Sequence, residues 1–358
     1  MGRNVANEHR ENDARSDSAN ASGRAVRAAI YGTGSWANQT HIPNLKKLGV
    51  EVIAACDVDA AALRRTAERF EIPAVYADGR EMVENEWFDV LYSIVPAFAR
   101  TDVEIRAVER GIHLFSEKPQ ALRMAVALEI DRAVRKAEVL STVCFRERYR
   151  PLFREARRIL SEKRIVHVVF RSVGGPPPRK EGTEQASWWR QMRKSGGPAL
   201  DWGVHAVDYI RFTTGLEVDK VQAFYFEQSE VFSDPLSSSF HFLLDNGATM
   251  TMTFVRADPS GTPQPWFTFF FEGGRLEIHN YDRIDLNGET VYRGSEFDPW
   301  FVQDRIFVEA VRSGDRGGIL NDYHDGLYSL APILAGWDSA RQGGRCIEVN
   351  AYYGQEGH

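Results

Sequence analysis

Two separate segments carry side chains suited to proton transfer. An apolar run, IHLFS, is followed directly by Glu117, Lys118 and Pro119. Pro119 lacks an N–H and keeps the preceding residue extended, so Lys118 is expected at the end of a strand. Further along, Asp201 and His205 lie four residues apart, a spacing that places two side chains on one face of a helix. Because histidine exchanges protons near neutral pH and an ammonium stabilises a developing oxyanion, these residues predict acid-base chemistry if the fold brings them together.

The composition narrows the class of protein. The chain has 358 residues, 43% of them hydrophobic and 26% charged, which is enough for a large core and for two domains. Its net charge of -6 argues against nucleic acid as a partner, and no apolar stretch is long enough to span a membrane. Three scattered cysteines, with no CxxC pair, indicate neither a disulfide framework nor a zinc site. We therefore expect a cytoplasmic protein with no bound metal ion and no membrane partner.

Apolar segments alternate with helical ones in the first part of the chain. The segments RAAIYG, EVIAAC, FDVLYSI, IHLFS and VLSTVCF are separated by sequences such as DAAALRRTAERF. Strands separated by helices of this length predict βαβ crossovers and a doubly wound parallel sheet. This pattern begins near Arg27 and ends near Pro151, and the polar residues 1–25 before it are expected to form a disordered tail.

The second part of the chain has longer strands, rich in aromatic and β-branched residues. The dipeptides Asn246-Gly247, Gly273-Gly274 and Asn287-Gly288 predict tight hairpins between them, and hence a large, mostly antiparallel open sheet. A final helix is predicted in DGLYSLAPILAGWDSARQGG, and Pro332 is expected to perturb its middle.

A glycine-rich turn follows the first predicted strand. The sequence Gly32-Thr33-Gly34-Ser35-Trp36-Ala37 opens a helix, and such a turn lets backbone N–H groups approach the pyrophosphate of a dinucleotide. Asp57, at the end of the second predicted strand, is placed to bond the ribose hydroxyls, and its charge favours NAD over NADP. Two alternatives stay open, since Asp57 also suits an ordinary turn and Arg64 or Arg65 suits a 2′-phosphate.

With a Rossmann domain that ends one strand in SEKP, the chain resembles the Gfo/Idh/MocA family of oxidoreductases. GTGSWA, FRERYRP and SGGPALDWGVHAVD also carry the resemblance, which extends from about Arg27 to Val349. It implies a dinucleotide-binding domain at 26–148 and a substrate-binding and oligomerisation domain at 149–358. It also implies that Lys118 contacts the nicotinamide region and the substrate, and that the bond to Pro119 is often cis. The residues expected to contact the cofactor are Gly32, Gly34, Ser35, Trp36, Ala37, Asp57, Pro96, Glu117 and Lys118.

The resemblance to inositol and sugar dehydrogenases maps a catalytic trio onto Lys118, Asp201 and His205. Oxidation of an alcohol needs a base for the hydroxyl proton, and neutral His205 is our candidate. Lys118 would polarise the substrate oxygen, and Asp201 would orient the sugar or the imidazole. For Asp201, a role as the N-cap of the helix is an open alternative.

Other residues are candidates for binding the substrate. Trp188, Trp189 and Arg190 are expected to form a wall on which a sugar stacks, with core packing as the alternative. Arg146 and Tyr149 lie where family members often place substrate contacts, with packing between the domains as the alternative.

The chain departs from the family pattern after the fourth strand. It has Val95-Pro96-Ala97 where many relatives carry Thr-Pro-Asn, and it places Arg100 at the position of a histidine. Cofactor contacts at this loop are therefore expected to differ. Arg100 and Arg146 would suit an acidic or phosphorylated sugar.

Three functions are compatible with these residues. The first is NAD(P)-dependent transfer of a hydride between the nicotinamide and a hydroxyl-bearing carbon of a cyclic polyol or sugar. The second is a glycosidase or lyase that acts by transient oxidation, and the third is a non-catalytic NAD-sensing regulator, which needs no base beside the nicotinamide. A homodimer or homotetramer is expected through the outer face of the second sheet, which we assign to Phe224, Phe226, Phe240 and Phe242.

Overall fold

The computed structural model describes residues 24–177, 192–226, 231 and 234–353. The predicted tail lies almost entirely outside the described residues, as do Trp188, Trp189 and Arg190. The described helices are α1 Ile42–Lys47, α2 Ala60–Phe70, α3 Gly79–Asn85, α4 Val103–Glu109, α5 Met124–Ala137, α6 Pro151–Leu160, α7 Met192–Ser195, α8 Gly197–Thr214, α9 Pro299–Ser313 and α10 Tyr323–Arg341.

The first sheet has six parallel strands in the order β3-β2-β1-β4-β5-β6. Its strands are β1 Arg27–Tyr31, β2 Glu51–Cys56, β3 Ala74–Tyr76, β4 Val90–Ser93, β5 His113–Ser116 and β6 Ser141–Val143. This order confirms the predicted Rossmann architecture, and the order reverses between β1 and β4, where open parallel sheets bind ligands. Strand β3 was not predicted, because three residues are too short for a recognisable apolar run.

Helices cover both faces of this sheet. One face packs against α3, α4 and α5, and the other against α1, α2 and α9. Helix α9 was not predicted; it follows the strands of the second sheet in the chain but packs against the first sheet. Its Phe307 and Val308 share a buried cluster with Ala28 and Ile30 of β1. The second half of the chain therefore contributes directly to the core of the nucleotide-binding part.

The second sheet has nine strands in the order β14-β13-β12-β11-β7-β10-β9-β8-β15. They are β7 Ile165–Gly174, β8 Val218–Phe226, β9 Ser237–Leu244, β10 Thr249–Arg256, β11 Phe267–Phe271, β12 Gly274–His279, β13 Arg283–Leu286, β14 Glu289–Arg293 and β15 Ile347–Glu348. The three predicted hairpins are confirmed, since they join β9 to β10, β11 to β12 and β13 to β14. Strand β7 lies at the centre of the sheet, with β11 to β14 on one side and β8 to β10 on the other. It pairs antiparallel with β11 and parallel with β10.

The assignment of four phenylalanines to the outer face was wrong for two of them. Phe240 and Phe242 are buried, whereas Phe224 and Phe226 are about half exposed. Phe240 pairs with Ala223 of β8, so both face inwards, and α10 lies so close that a Cβ at Gly336 would come within 2.4 Å of the Phe240 ring. Because side chains alternate along a strand, Phe224 faces the opposite side.

The last helix is uninterrupted. Pro332 was expected to perturb its middle, but α10 continues through this buried residue. Among the described helices, none combines the length and the apolar character needed to cross a bilayer.

Candidate active site between the two sheets

A cavity of about 1100 Å³ lies beyond the carboxyl ends of β1, β2 and β4. The glycine-rich turn, the loop after β4 and Lys118 line one side. Residues of α7 and α8 line the other side, among them Lys194, Asp201 and Trp202. The cavity thus lies between the parallel sheet and the second sheet's helices, where an open α/β sheet binds its ligand.

The glycine-rich turn has the shape that a pyrophosphate requires. Gly32 has a φ of +98°, and a Cβ there would come within 2.7 Å of the Ile94 carbonyl oxygen, so a side chain does not fit. Gly34 borders the cavity, and a Cβ there would meet no protein atom within 4 Å. The side-chain amide of Asn38 donates to the carbonyl oxygens of Thr33 and Gly34 and holds the turn in place. The turn therefore fits the phosphates of a dinucleotide.

The remaining residues of the motif divide between the cavity and the core. Ser35 and Trp36 line the cavity, and helical structure begins at Ser35. Ala37 is fully buried beneath the turn, as the small third residue of such a motif should be. Pro96, in the loop after β4, also lines the cavity.

Asp57 is tied to the glycine-rich turn. Its Oδ2 accepts hydrogen bonds from the backbone N–H of Thr33 at 2.7 Å and from the Thr33 hydroxyl at 3.0 Å, and its Oδ1 accepts from the N–H of Asp59 at 2.9 Å. The carboxylate also borders the cavity. Arg64 and Arg65 lie on the exposed side of α2 and are not among the residues that line it. This placement favours Asp57 over the two arginines as the residue beside an adenosine ribose.

Arg100 does not face the cavity, which corrects the expectation that it suits an acidic substrate. Its guanidinium is buried, pairs with Glu104 at 3.1 Å and donates to the Ser93 hydroxyl at 2.9 Å. It also donates to the backbone carbonyl of Glu117. A buried guanidinium must be paired, and the partners of Arg100 lie within the protein. Arg100 therefore holds the segment before Lys118 in place.

Lys118 reaches from the first domain to the second. The peptide bond between Lys118 and Pro119 is cis, and the backbone N–H of Lys118 donates to Glu117 Oε2 at 3.0 Å. Lys118 Nζ donates to Asp201 Oδ1 at 2.6 Å and to the Asp201 carbonyl oxygen at 3.2 Å. The structure therefore brings together the ammonium and the carboxylate that the sequence placed in separate segments.

Asp201 is not a helix cap. The N-cap of α8 is Gly196, so Asp201 lies inside the helix and its side chain is available to Lys118. The carboxylate is 57% exposed and borders the cavity. The capping alternative is thereby corrected.

His205 lies one turn further along α8, as predicted, but it is buried behind the cavity wall. Its ring packs against Phe145, Trp202 and Tyr209, and Nε2 lies 3.5 Å from Nη1 of Arg146. A guanidinium can only donate, so this contact places the imidazole hydrogen on Nδ1, which has no partner among the described residues. Burial, followed by the positive charges of Lys118 and Arg146, lowers the pKa of His205 well below its ordinary value, so the imidazole is neutral.

Arg146 and Tyr149 were predicted to contact the substrate, and neither lines the cavity. The guanidinium of Arg146 lies between His205 and Trp300, with its central carbon 4.1 Å from the indole centroid. Tyr149 is buried, and its hydroxyl accepts a hydrogen bond from the N–H of Leu320 at 3.1 Å. Both positions favour the packing alternative.

Two tryptophans beside the cavity, Trp202 and Trp300, were not predicted from the sequence. Trp202, directly after Asp201, is 38% exposed and lines the cavity, and its ring makes T-shaped contacts with those of His205 and Trp266. Trp36 stacks on Trp300 with ring centroids 5.7 Å apart. The position of Trp202 inside the SGGPALDWGVHAVD segment could have identified it, whereas nothing near Trp300 in the sequence points to the site.

Comparison with known proteins gives a consistent assignment for both halves. Residues 26–145 match the model of an oxidoreductase family with an NAD-binding Rossmann fold. Residues 153–277 match the model of the GFO/IDH/MocA C-terminal domain. Together the two matches cover more than half of the chain.

Individual relatives are distant but extend over most of the chain. The chain is 23% identical to scyllo-inositol 2-dehydrogenase (NAD(+)) of Bacillus subtilis, a match that covers 89% of this chain and 95% of that protein. It is 26% identical to D-apiose dehydrogenase of Paraburkholderia graminis, over 92% of this chain and 91% of that protein. The solved structure of scyllo-inositol dehydrogenase from Lactobacillus casei, with bound NAD(H) and scyllo-inositol, superposes with a TM-score of 0.73 at 20% identity, over 91% of this chain and 100% of that one.

Proposed function

Because the chain belongs to the Gfo/Idh/MocA family of NAD-binding oxidoreductases, we propose that it transfers a hydride between NAD and a hydroxyl-bearing carbon of a cyclic polyol or sugar. The observation that carries this proposal is the pair formed by Lys118 and Asp201 in the wall of the cavity that the glycine-rich turn also lines. Relatives named for inositol and apiose support the substrate class. The enzyme is an oxidoreductase with NAD as its cofactor.

Bound NAD supplies the hydride acceptor for oxidation, and the chain's own residues handle the proton. Lys118 donates a hydrogen bond to the substrate oxygen and stabilises the negative charge that develops there. Asp201, 2.6 Å from the ammonium, keeps Lys118 aimed into the cavity when no substrate is present. Its exposed carboxylate also accepts hydrogen bonds from neighbouring hydroxyls of a polyol.

His205 takes the hydroxyl proton. Its lowered pKa keeps the imidazole unprotonated at neutral pH, which a base requires before the reaction. The contact with Arg146 is 3.5 Å long, at the limit of a hydrogen bond, and His205 lies behind the cavity wall, so Nε2 accepts from a substrate hydroxyl once Arg146 and Trp202 move aside. The two nearby cations make the protonated imidazole unfavourable and return the proton readily in the reverse direction.

Trp202 forms the surface on which the substrate ring rests. The indole is partly exposed, lines the cavity and follows the proposed catalytic carboxylate directly. Aromatic faces suit the C–H face of a sugar or cyclitol, whose hydroxyls then point to polar residues. We assign this surface to Trp202, and the role predicted for Trp188 and Trp189, which lie outside the described residues, stays a prediction.

Asp57 makes the enzyme prefer NAD to NADP. Its carboxylate is held by the glycine-rich turn that would receive the pyrophosphate, so its negative charge would repel the 2′-phosphate of a bound NADP. Neither Arg64 nor Arg65 lines the cavity to compensate for that charge.

The decisive experiment is a screen of inositols, aldoses, uronic acids and glycosides with NAD and with NADP, followed at the absorbance of the reduced coenzyme. Net formation of NADH with a polyol or sugar supports the proposal. Turnover of a glycoside without net NADH would favour elimination after transient oxidation, and binding of NAD with no turnover of any compound would refute the proposed reaction.

Three further expectations stay predictions. They are the domain boundary near residues 148 and 149, the cytoplasmic location and the homo-oligomer. For the oligomer we propose the outer face of the second sheet, where Phe224, Phe226 and Phe270 are exposed. Analytical ultracentrifugation of Phe224→Ser alongside the wild type tests it, because a smaller species is expected only if that face is the interface.

A further inference from the structure

We propose that Asp304 is a positioning residue that holds the segment carrying Lys118 in place through His41 and Glu117. The proposal rests on the catalytic role proposed for Lys118. It assigns part of the active-site geometry to α9, a helix that does not line the cavity.

A continuous chain of hydrogen bonds joins Asp304 to the backbone of Lys118. Asp304 Oδ1 lies 2.9 Å from His41 Nδ1, and His41 Nε2 lies 3.1 Å from Glu117 Oε1. Glu117 Oε2 then accepts from the N–H of Lys118 at 3.0 Å. Asn44 donates to the second oxygen of Asp304 at 2.8 Å, which fixes the far end of the chain.

The other side of Glu117 is held as well. Its carbonyl oxygen accepts from the buried Arg100, whose guanidinium also bonds Ser93 and Glu104. Both the side chain and the carbonyl of Glu117 are therefore fixed. The position of the next residue, Lys118, depends on these bonds. Moving a catalytic group by about 1 Å can lower the rate roughly 10²-fold.

The charge states of His41 and Glu117 agree with this role. Burial alone lowers the pKa of His41, but the charge and hydrogen bond of Asp304, with hydrogen bonds to Cys144 and Glu117, raise it well above its ordinary value. Burial likewise raises the pKa of Glu117, but His41 and then Lys118 and Arg146 lower it to about 2. His41 is thus an imidazolium that donates one hydrogen bond to each carboxylate.

The groups around the imidazole come from four elements. Asp304 belongs to α9, Glu117 follows β5, Cys144 follows β6 and Tyr92 lies in β4, with its ring centroid 5.9 Å from that of His41. Burial raises the pKa of the Cys144 thiol to about 12 and that of the Tyr92 hydroxyl well above its ordinary value, so both stay neutral. Asp304 and Glu117 are then the charges that hold the proton on His41.

The arrangement of His41, Glu117 and Cys144 is explained without a metal ion. Ligand atoms of His41, Glu117 and Cys144 lie within 4.8 Å of one another. Both ring nitrogens of His41 are already engaged by carboxylates, so neither lone pair is free for a metal. The cluster is satisfied as a hydrogen-bonded relay.

The experiment is the pH dependence of kcat for Asp304→Asn between pH 7 and 9. Without the negative charge of Asp304, the pKa of His41 falls from its raised value towards its ordinary one, and a neutral imidazole, which carries one hydrogen, can no longer donate to both Glu117 and residue 304. We expect kcat to be about tenfold lower at pH 7 and to fall by up to about tenfold per unit as pH rises, while KM for NAD changes by less than about twofold.

Two variants serve as controls. Asp131→Asn breaks a similar pair, in which the buried Asp131 lies 2.9 Å from His324 Nδ1 and has no link to Glu117. It should lower thermal stability and leave the pH profile of kcat unchanged. His41→Gln removes the titrating group, so both it and the double variant with Asp304→Asn should show a low kcat with no decline between pH 7 and 9.

A wild-type pH profile in Asp304→Asn would overturn the proposal, as would a loss of kcat no greater than that of Asp131→Asn. If Asp304→Asn does not fold, His41→Gln decides through the separate effects on kcat and on KM for NAD, since equal changes would mean general damage. NMR titration of the His41 imidazole shows independently whether Asp304 holds its proton. Activity retained in Lys118→Met would instead mean that the proposed function itself is wrong.

Discussion

Replacement of Arg146 by methionine separates the two roles that this residue can have. The sequence suggested a contact with the substrate, whereas the structure places its guanidinium against His205 and Trp300, away from the cavity. Removing the charge should raise the pKa of His205, because a positive neighbour disfavours the imidazolium. The acid limb of kcat/KM should therefore move to higher pH, while KM for the substrate hardly changes.

The size of the shift follows from the geometry. Arg146 Nη1 lies 3.5 Å from His205 Nε2. With an effective dielectric constant of about 20, two charges at that distance interact by roughly 4 to 5 kcal/mol. Since the guanidinium charge is delocalised and its centre lies further away, the interaction is weaker than this, and we expect the acid limb of kcat/KM to rise by about one pH unit or more.

The assay is the pH profile of kcat/KM, together with NMR titration of the imidazole assigned by comparison with His205→Gln. Arg146→Lys keeps the positive charge and should retain an acid limb near that of the wild type. An unchanged limb in Arg146→Met, combined with a KM raised at every pH, would refute the electrostatic reasoning and restore the substrate contact.

Three other substitutions test separate parts of the site. Lys118→Met should lower kcat by roughly 10² to 10³ and leave the Kd for NAD within about twofold, measured by calorimetry, and near wild-type turnover would disprove its role. Trp202→Ala should raise KM for the sugar about tenfold, with Trp202→Phe close to the wild type, and an unchanged KM would remove the proposed stacking surface. The free energy of unfolding should fall as pH drops below about 6.5, by up to about 1.4 kcal/mol per unit, because unfolding lets His205 take up a proton that burial denies it. His205→Gln, followed by urea denaturation, should show a correspondingly smaller loss, and equal slopes would mean that other groups cause it.

Features with a local signal were predictable from the sequence. The turn at Gly32 was predictable because the backbone there lies so close to the Ile94 carbonyl that only glycine fits, and the glycine itself is visible in the sequence. The three hairpins were recognisable for the same reason, since Gly247, Gly273 and Gly288 have positive φ. Asp201 and His205 were placed on one helix by their spacing alone.

Features that depend on distant parts of the chain were not predictable. Strand alternation makes neighbouring positions face opposite sides, but only the register of β8 with β9 and the approach of α10 decide that Phe240 is buried and Phe224 exposed. Tyr149 and Arg100 have side chains suited to a ligand, yet their partners turned out to be Leu320 and the Glu117 carbonyl within the protein.

The sequence by itself determined the class of fold, the glycine-rich turn and the chemical types of the proposed catalytic groups, because each is encoded by residues close together in the chain. Only the tertiary structure decided which groups meet. Lys118 and Asp201 are 83 residues apart and His41 and Asp304 are 263 apart, and no pattern of local spacing specifies such pairs. They form because the two sheets and the returning helix α9 bury their apolar faces together, which brings distant segments side by side. The buried charges of His41 and Asp304 must then be paired with each other.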